Sequence, residues 1–334
     1  MAANRLIQHY VDNARDLPWR GKPGAPAPDP YRVWLSEVML QQTTVAAVIP
    51  RFERFVARWP TVEALATARD EEVLGEWAGL GYYARARNLI ACAREVAARG
   101  GFPDTEAELR GLPGVGGYTA AAIAAIAFGR RAVVIDTNVE RVVARLNAVS
   151  EPLAHAKQAI RALADAMTPD EGAGDFAQAM MDLGATICRP RAPECGRCPL
   201  AGDCKAFASG EPERFPGPKR KAVRPVRHGV AWWIERDRCV WLVRRLATGM
   251  LGGMAALPGT GWSDDDVAAD GPLLARVSHV FTHFQLELVI AAAAEPTGDG
   301  WWQPLDTLAD AGLPTLYRRA AEAVLARREL RVAA

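Results

Sequence analysis

One change of periodicity constrains this chain more than any other feature. From about residue 30 to residue 205 apolar residues recur at helical spacing, in Ala-rich stretches such as TAAAIAAIAF (119–128) and VERVVARLNAV (139–149) set apart by Gly and Pro. Within FASGEPERFPGPKRKAVRPVR (207–227) the period is lost and Pro, Gly and basic residues gather, which reads as an interdomain linker. Beyond it, HGVAWWIERDRCVWLVRRL (228–246) reads as two strands joined by a tight charged turn. HVFTHFQLELVIAAAA (279–294) reads as one more strand, and YRRAAEAVLARREL (317–330) as a closing helix. The expectation is a multidomain chain, all-α over 1–206 and a smaller mixed α/β domain over 228–334. With 334 residues, half of them apolar, both parts can bury cores of their own, so no metal is needed merely to fold.

The formal charge of +1 excludes a grossly basic nucleic-acid binder but leaves room for basic patches. The opening MAANRLIQHYVDNARDLPWR carries charges throughout and lacks the apolar core of a signal peptide, and no apolar run reaches membrane-spanning length. These features set the expectation of a soluble cytoplasmic protein without a membrane partner, nucleoid-associated in a bacterium; the further expectation is a monomer. In that reducing setting clustered cysteines favour metal ligation over disulfides.

Four of the six cysteines fall in CRPRAPECGRCPLAGDC (188–204). Cys188, Cys195, Cys198 and Cys204 follow C-x6-C-x2-C-x5-C, with a single C-x2-C and no nearby histidine. That spacing leaves zinc and an iron-sulfur cluster both open. Arg189, Arg191 and Arg197 lie between these cysteines, either aimed at phosphates or simply solvated. Cys92 and Cys239, alone in apolar surroundings, read as small core residues.

In LPGVGGYTAAAIAAIAFG (112–129), Gly114, Val115, Gly116 and Gly117 precede an apolar helix, with the short helical stretch TEAELRGL just upstream. Glycines permit the tight turn, and the new helix offers unpaired N–H groups and a positive dipole end. Such a helix-hairpin-helix grips a DNA backbone phosphate without reading sequence; the alternative is an ordinary helix corner.

Two carboxylates stand out. Asp29 and Pro30 form an N-cap and first-turn pair for a helix apolar on nearly all sides, inside which lies Glu37. Its helical neighbours are Val33, Trp34, Leu40 and Gln41, none able to hold it ionised, so desolvation raises its pKa and leaves a proton donor near neutrality. An arginine from elsewhere in the fold is the alternative partner. In AVVIDTNVERVV, Thr137 and Glu140 form a T-x-x-E capping box that leaves Asp136 spare at a helix N-terminus, where an anion is favoured; the alternative is that Asp136 is itself the cap. One protonated acid beside one ionised carboxylate is the division of roles that glycosidic-bond chemistry uses.

The runs SEVMLQQT (36–43), GLGYYARARNL (79–89), LPGVGGYT (112–119), IDTNVERV (135–142) and FAQAMMDLGATIC (176–188), with the cysteine spacing, together resemble the adenine DNA glycosylases of the helix-hairpin-helix, endonuclease III superfamily. The likeness runs in order over almost the whole chain. It implies an all-α glycosylase core, with a six-helix module over about 29–130 and an iron-sulfur module from the N-terminal helix plus 131–206, and a C-terminal Nudix-like domain. It implies a 4Fe-4S cluster on the four cysteines, shaping a DNA-binding loop and taking no part in bond cleavage. The substrate it implies is adenine opposite 8-oxoguanine or G in duplex DNA, flipped out before cleavage.

On that resemblance Glu37 protonates the adenine at N7, Asp136 supports the oxocarbenium-like sugar, and Tyr118 orients the centre. Arg20 and Gln178 match positions near the adenine. Gln42 and Tyr82 match residues that enter the duplex, and Phe281, Thr282 and His283 match the loop that senses 8-oxoguanine. Bifunctional relatives carry a lysine at the place of Tyr118; no lysine lies between Lys22 and Lys157 here, so a monofunctional, hydrolytic enzyme follows. No glutamate lies between Glu235 and Glu287, which argues against Mg2+-dependent Nudix catalysis. Thr282 stands where serine is usual, and Met250-Leu251 precede glycines that often follow Trp in the family. The basic residues Lys219, Arg220, Lys221, Arg224 and Arg227 make the linker a candidate contact for a replication clamp or repair protein.

Overall fold

The computed structural model describes residues 2–218, 224–246 and 249–332. The chain divides into two compact units, 1–220 and 221–334. Among the described residues no helix is long and apolar enough to cross a membrane.

The first unit is helical: α1 (Ala2–Asn13), α2 (Pro30–Leu40), α3 (Val45–Arg58), α4 (Val62–Ala66), α5 (Asp70–Glu76), α6 (Ala84–Arg99), α7 (Glu106–Leu109), α8 (Gly117–Phe128), α9 (Thr137–Asn147), α10 (Leu153–Met167), α11 (Ala173–Thr186) and the short α12 (Lys205–Ala208). The caps explain the starts. Asp29, Thr44, Thr61 and Thr105 each accept a backbone N–H from the first turn of α2, α3, α4 and α7. Helices α2 and α8 lie at the centre, which is why neither shows a polar face: Thr119 through Ala127 of α8 are all buried. Helix α11 packs on α1, α8 and α9. It approaches α9 so closely that a Cβ on Gly184 would stand 2.6 Å from the Cβ of Asn138.

The segment from 207 to 218 is not a free linker. Arg145 donates its Nε to the carbonyl of Phe215 at 3.0 Å, Glu213 accepts the Ala192 N–H at 2.9 Å, and Gly217 is buried against Ser150. Proline and glycine here shape a fitted strap, a role the lost periodicity did not distinguish from a linker. Lys219, Arg220 and Lys221 lie outside the described residues, and Arg227 already belongs to a strand.

The second unit holds two sheets. Strand β1 (Val226–Trp233) pairs in parallel with β6 (Gln285–Ala292), which pairs antiparallel with β5 (Leu273–Val280). In the other sheet β3 (Cys239–Arg244) is flanked by β2 (Glu235–Arg236), β4 (Ala255–Ala256) and β7 (Gly300–Pro304). Helix α13 (Thr315–Val332) packs on β5, and Val277, Leu286, Leu288, Ile290, Leu316 and Ala320 meet in the core.

Two sequence expectations change here. Residues 228–246 form three strands, because the chain leaves one sheet after Trp233 and enters the other at Glu235; the tight turn, Asp237-Arg238 with both φ positive, joins β2 to β3. Residues 279–294 span the end of β5, a turn at 281–284 and β6, so they form a hairpin and not one strand. The turn has neither Gly nor Pro to mark it, and Phe281 and Phe284 carry the apolar content of the flanking strands through it.

Candidate active site

A cavity of about 1000 Å³ opens in the helical unit. The end of α2, the turn after it, the hairpin before α8, the start of α9, one face of α11 and the segment preceding α2 all contribute walls. Glu37, Tyr118, Asp136, Arg20, Gln178, Gln42, Gly114, Gly116 and Gly117 line it. Val115 is buried beneath the hairpin instead.

Glu37 is 5% exposed, and the hydroxyl of Tyr118 donates to its Oε2 at 2.6 Å. Burial pushes the Glu37 carboxyl up to about 7 and nearby Asp136 adds to the rise, while the Tyr118 hydrogen bond and the Arg20 charge pull it down. The Tyr118 hydroxyl also faces the thioether of Met181 at 3.5 Å, and its own pKa is raised strongly by burial beside Glu37.

Asp136 is not spare. It is the N-cap of α9: Oδ1 accepts the Val139 N–H at 2.7 Å and Oδ2 accepts Asn138 Nδ2 at 2.8 Å, while Thr137 is already helical. The extended backbone of Asp136 brings its short carboxylate onto the third helical N–H, a bond Thr137 cannot make from inside the helix. The cap and the cavity wall are therefore the same side chain, fixed from two sides.

Arg20 lines the cavity with its guanidinium held by Asp182 of α11, Nη1 to Oδ2 at 2.7 Å. Gln178, one turn earlier on that helix, is buried. The sequence reading passed over Asp182, although a lone acid within the apolar run FAQAMMDLGATIC was the available signal.

Two turns carry Gln42 and Tyr82, both in the left-handed region at φ +57° and +49°. Tyr82 is 53% exposed, unusual for a large aromatic ring. Arg85 ties the two turns together, donating to the carbonyls of Val38, Met39, Leu80 and Gly81 and to Thr43 Oγ1, with its head 5.6 Å from the Tyr82 ring. It too was missed; an arginine continuing the apolar stripe Leu89, Cys92, Val96 of α6 was the clue. In the hairpin, Gly114 adopts φ +71° and a Cβ there would lie 2.6 Å from that of Asn88. Gly116 caps α8 without a side-chain bond, leaving the first N–H groups of that helix for an anion.

Cys188, Cys195, Cys198 and Cys204 line one small cavity with Arg145 and Phe207. Arg145 is 2% exposed and donates to Cys188 Sγ at 3.3 Å and to the carbonyls of Arg189 and Pro190 at 2.7 and 3.0 Å. Burial pushes the Cys198 thiol up to about 11, so a metal taking that sulfur must displace its proton. A donor set of thiols alone fits a soft metal or an iron-sulfur cluster. Among the described residues no three His, Cys, Asp or Glu side chains gather closely enough to hold a single ion. Arg189 and Arg197 pair with Glu194 at the loop surface, and Arg191 is exposed.

Residues 35–169 match the HhH-GPD superfamily base excision DNA repair protein family, and residues 229–323 match the NUDIX domain. The chain is 39% identical over 294 residues to the adenine DNA glycosylase of Mycobacterium tuberculosis (strain ATCC 25618 / H37Rv), covering 77% of this chain and 93% of that one. This chain belongs to the adenine DNA glycosylase family.

The adenine DNA glycosylase of Homo sapiens is 44% identical over 222 residues, 63% of this chain and 40% of the human protein, so the match spans about two fifths of that relative. Among solved structures, a thermostable thymine-DNA glycosylase superposes with a TM-score of 0.55 at 28% identity, over 62% of this chain and 95% of that one. Endonuclease III trapped on DNA superposes at 0.52 with 24% identity over 63% and 95%, a likeness of fold.

In the second unit of this adenine DNA glycosylase relative, the β5–β6 turn is built on an aromatic cluster. Phe281 stacks on Trp262 at 5.3 Å and meets Phe284 at 4.9 Å and His279 at 4.7 Å. Thr282 and His283 are exposed at the tip, while Phe281 is half-buried as their support.

Proposed function

We propose that this chain is a monofunctional adenine DNA glycosylase of base excision repair, hydrolysing the N-glycosidic bond of adenine opposite 8-oxoguanine or G in duplex DNA. The observation that carries the reading is Glu37, a carboxyl buried in a cavity wall, held by Tyr118 and brought to about 7. A group of that pKa holds a proton to give near neutral pH. Glu37 donates it to N7 of a flipped adenine, which then leaves as a neutral base. Asp136, fixed by Val139 and Asn138, stands in the same wall to offset the positive charge that develops on the sugar. Water adds to the sugar and gives up its proton to the Glu37 carboxylate, which completes hydrolysis and restores the acid, and no lysine among the residues lining the cavity offers a covalent route to strand cleavage.

Arg20 and Gln178 meet the edges of the base. Tyr82 and Gln42 enter the stack, where an aromatic ring compensates for lost base stacking. Gly114, Val115, Gly116 and Gly117 present the N-terminus of α8 to a backbone phosphate. Cys188, Cys195, Cys198 and Cys204 would hold a 4Fe-4S cluster, whose chemistry here is structural: four thiolate bonds pin the loop that presents Arg189, Arg191 and Arg197 to DNA. Thr282 and His283 contact the 8-oxoguanine, and the segment about 219–225 is the candidate contact for a clamp or repair protein.

Single-turnover base release tests this reading, with duplexes carrying A opposite 8-oxoguanine, A opposite G, A opposite T and T opposite G. The expected order is fastest opposite 8-oxoguanine, slower opposite G and none from A–T. Thymine release in place of adenine would move the chain to the specificity of its thymine-DNA glycosylase neighbour.

A further inference from the structure

Asp182 lies one turn beyond Gln178 on α11, 7% exposed, and two arginines from the segment before α2 converge on it. Arg15 donates its Nε to Oδ1 at 2.6 Å and its backbone N–H to Oδ2 at 3.3 Å. Arg20 donates Nη1 to Oδ2 at 2.7 Å, and its side chain is itself only 8% exposed. Both arginines line the cavity that holds Glu37.

We propose that Asp182 is a positioning residue for base excision: it clamps Arg20 into the cavity wall, facing the adenine, and so keeps Arg20 from pairing with Glu37. The inference rests on the reading of this cavity as the adenine pocket. Arg20 is a buried guanidinium whose side chain is held by Asp182, unlike Arg85 and Arg145, which are held by rings of carbonyls; removing its carboxylate leaves a charge out of water, which costs several kcal/mol. The other carboxylates lining the cavity are Glu37, Asp136 and Glu140. Asp136 is already engaged by Val139 and Asn138. Glu140 already has the charge of Lys157 beside it. With Asp182 neutralised, Glu37 is then the cavity carboxyl without a countercharge or cap of its own for Arg20 to approach, and an ion pair there strips Glu37 of the proton it must donate.

The charged and titratable groups facing Glu37 are Tyr118 from α8, Asp136 at the start of α9, and Arg20 from the preceding segment. Arg15 and Glu140 line the same cavity, and Asp182 acts through its two arginines. Loss of Asp182 therefore moves the balance around Glu37 in one direction, toward the anion.

The test is single-turnover adenine release from an A:8-oxoguanine duplex as a function of pH, with duplex affinity measured separately, for the full chain and two variants. Asp182→Asn is expected to lose roughly tenfold in rate at pH 7.5 and to move the limb that falls with rising pH about one unit toward acid, with duplex affinity unchanged. Asp182→Glu keeps both arginine partners, so it keeps the wild-type limb; its extra methylene displaces Arg20 and lowers the rate several-fold. An Asp182→Asn limb at the wild-type pH, whatever the rate, overturns the proposal and leaves Asp182 a structural residue. If Asp182→Asn does not fold, Asp182→Glu decides: a wild-type rate overturns the clamp. Absence of adenine release from the wild-type protein instead sinks the proposed function, an outcome distinct from either.

Discussion

The hydroxyl of Tyr118, at the start of α8, donates to Oε2 of Glu37, near the end of α2, across 2.6 Å. The bond favours the ionised carboxylate and opposes the burial that raises Glu37 to about 7. Tyr118→Phe removes the donor and leaves the burial. The pKa of Glu37 then rises, so the limb of the rate profile that falls with rising pH shifts toward alkali. The maximal rate drops several-fold because the carboxyl is held less firmly. Single-turnover base release between pH 5 and 9 checks both; an unmoved limb would detach Tyr118 from the acid.

On the role proposed for Glu37, the same carboxyl links catalysis to stability. Glu37 has a folded pKa raised above its unfolded value of about 4.5, so its contribution is fully present below that value and is lost as pH rises through about 7. The shift corresponds to about 3 kcal/mol by pH 8. Glu37→Gln keeps the shape and removes the charge. It should abolish base release yet unfold at higher denaturant than wild type at pH 8, with little difference at pH 4.5. Urea titrations at the two pH values check this, and equal wild-type and variant stability at pH 8 would count against a buried, strained acid.

Much of this site was legible because each element has a local signature. Asp29-Pro30 announces α2, the PGVGG turn announces α8, and the absence of any basic residue within four positions of Glu37 announces a carboxyl shaped by burial. What failed was whatever depended on contacts between distant segments. Asp182 and Arg85 interrupt an apolar run and an apolar stripe, but what they hold appears only when Arg20 and the 80–82 turn are folded against them. The role of Asp136 failed for a subtler reason: T-x-x-E at 137–140 and an Asp one position earlier are both good caps, and only the backbone of Asp136 decides between them. In the second unit, β1 pairs with a strand some 60 residues away, and no local pattern records a long-range partner.

Arg85 offers a test of the wall separate from the acid. It spans five acceptors around the turns of Gln42 and Tyr82, two non-glycine residues whose left-handed backbones each cost on the order of 1 kcal/mol. Burial lowers the Arg85 pKa to about 10, so it stays charged at neutral pH. Arg85→Met preserves the apolar stem and removes the ties. Duplex affinity should fall roughly tenfold and base release with it, while the pH at which the rate falls, assigned to Glu37 in the proposed function, stays at its wild-type value. A shift in that pH would show that Arg85 acts on the acid and not on the turns.

Arg145 makes the corresponding case for the cysteine loop. It is a buried arginine whose donors reach Cys188 Sγ and the carbonyls of Arg189, Pro190 and Phe215, thus joining α9 to both the loop and the strap at 212–218. Arg145→Met leaves three carbonyls without their donor, and losses of about 1–3 kcal/mol per buried acceptor are enough to loosen the loop before the helices. With the iron-sulfur cluster of the proposed function on these cysteines, the expected outcome is protein that folds, measured by far-ultraviolet circular dichroism, but carries less iron after purification and binds duplex more weakly. The rate of base release from duplex already bound should be unchanged, because Glu37 and Asp136 line a different cavity. Wild-type iron content together with wild-type duplex affinity would show that the cysteines hold the loop without Arg145.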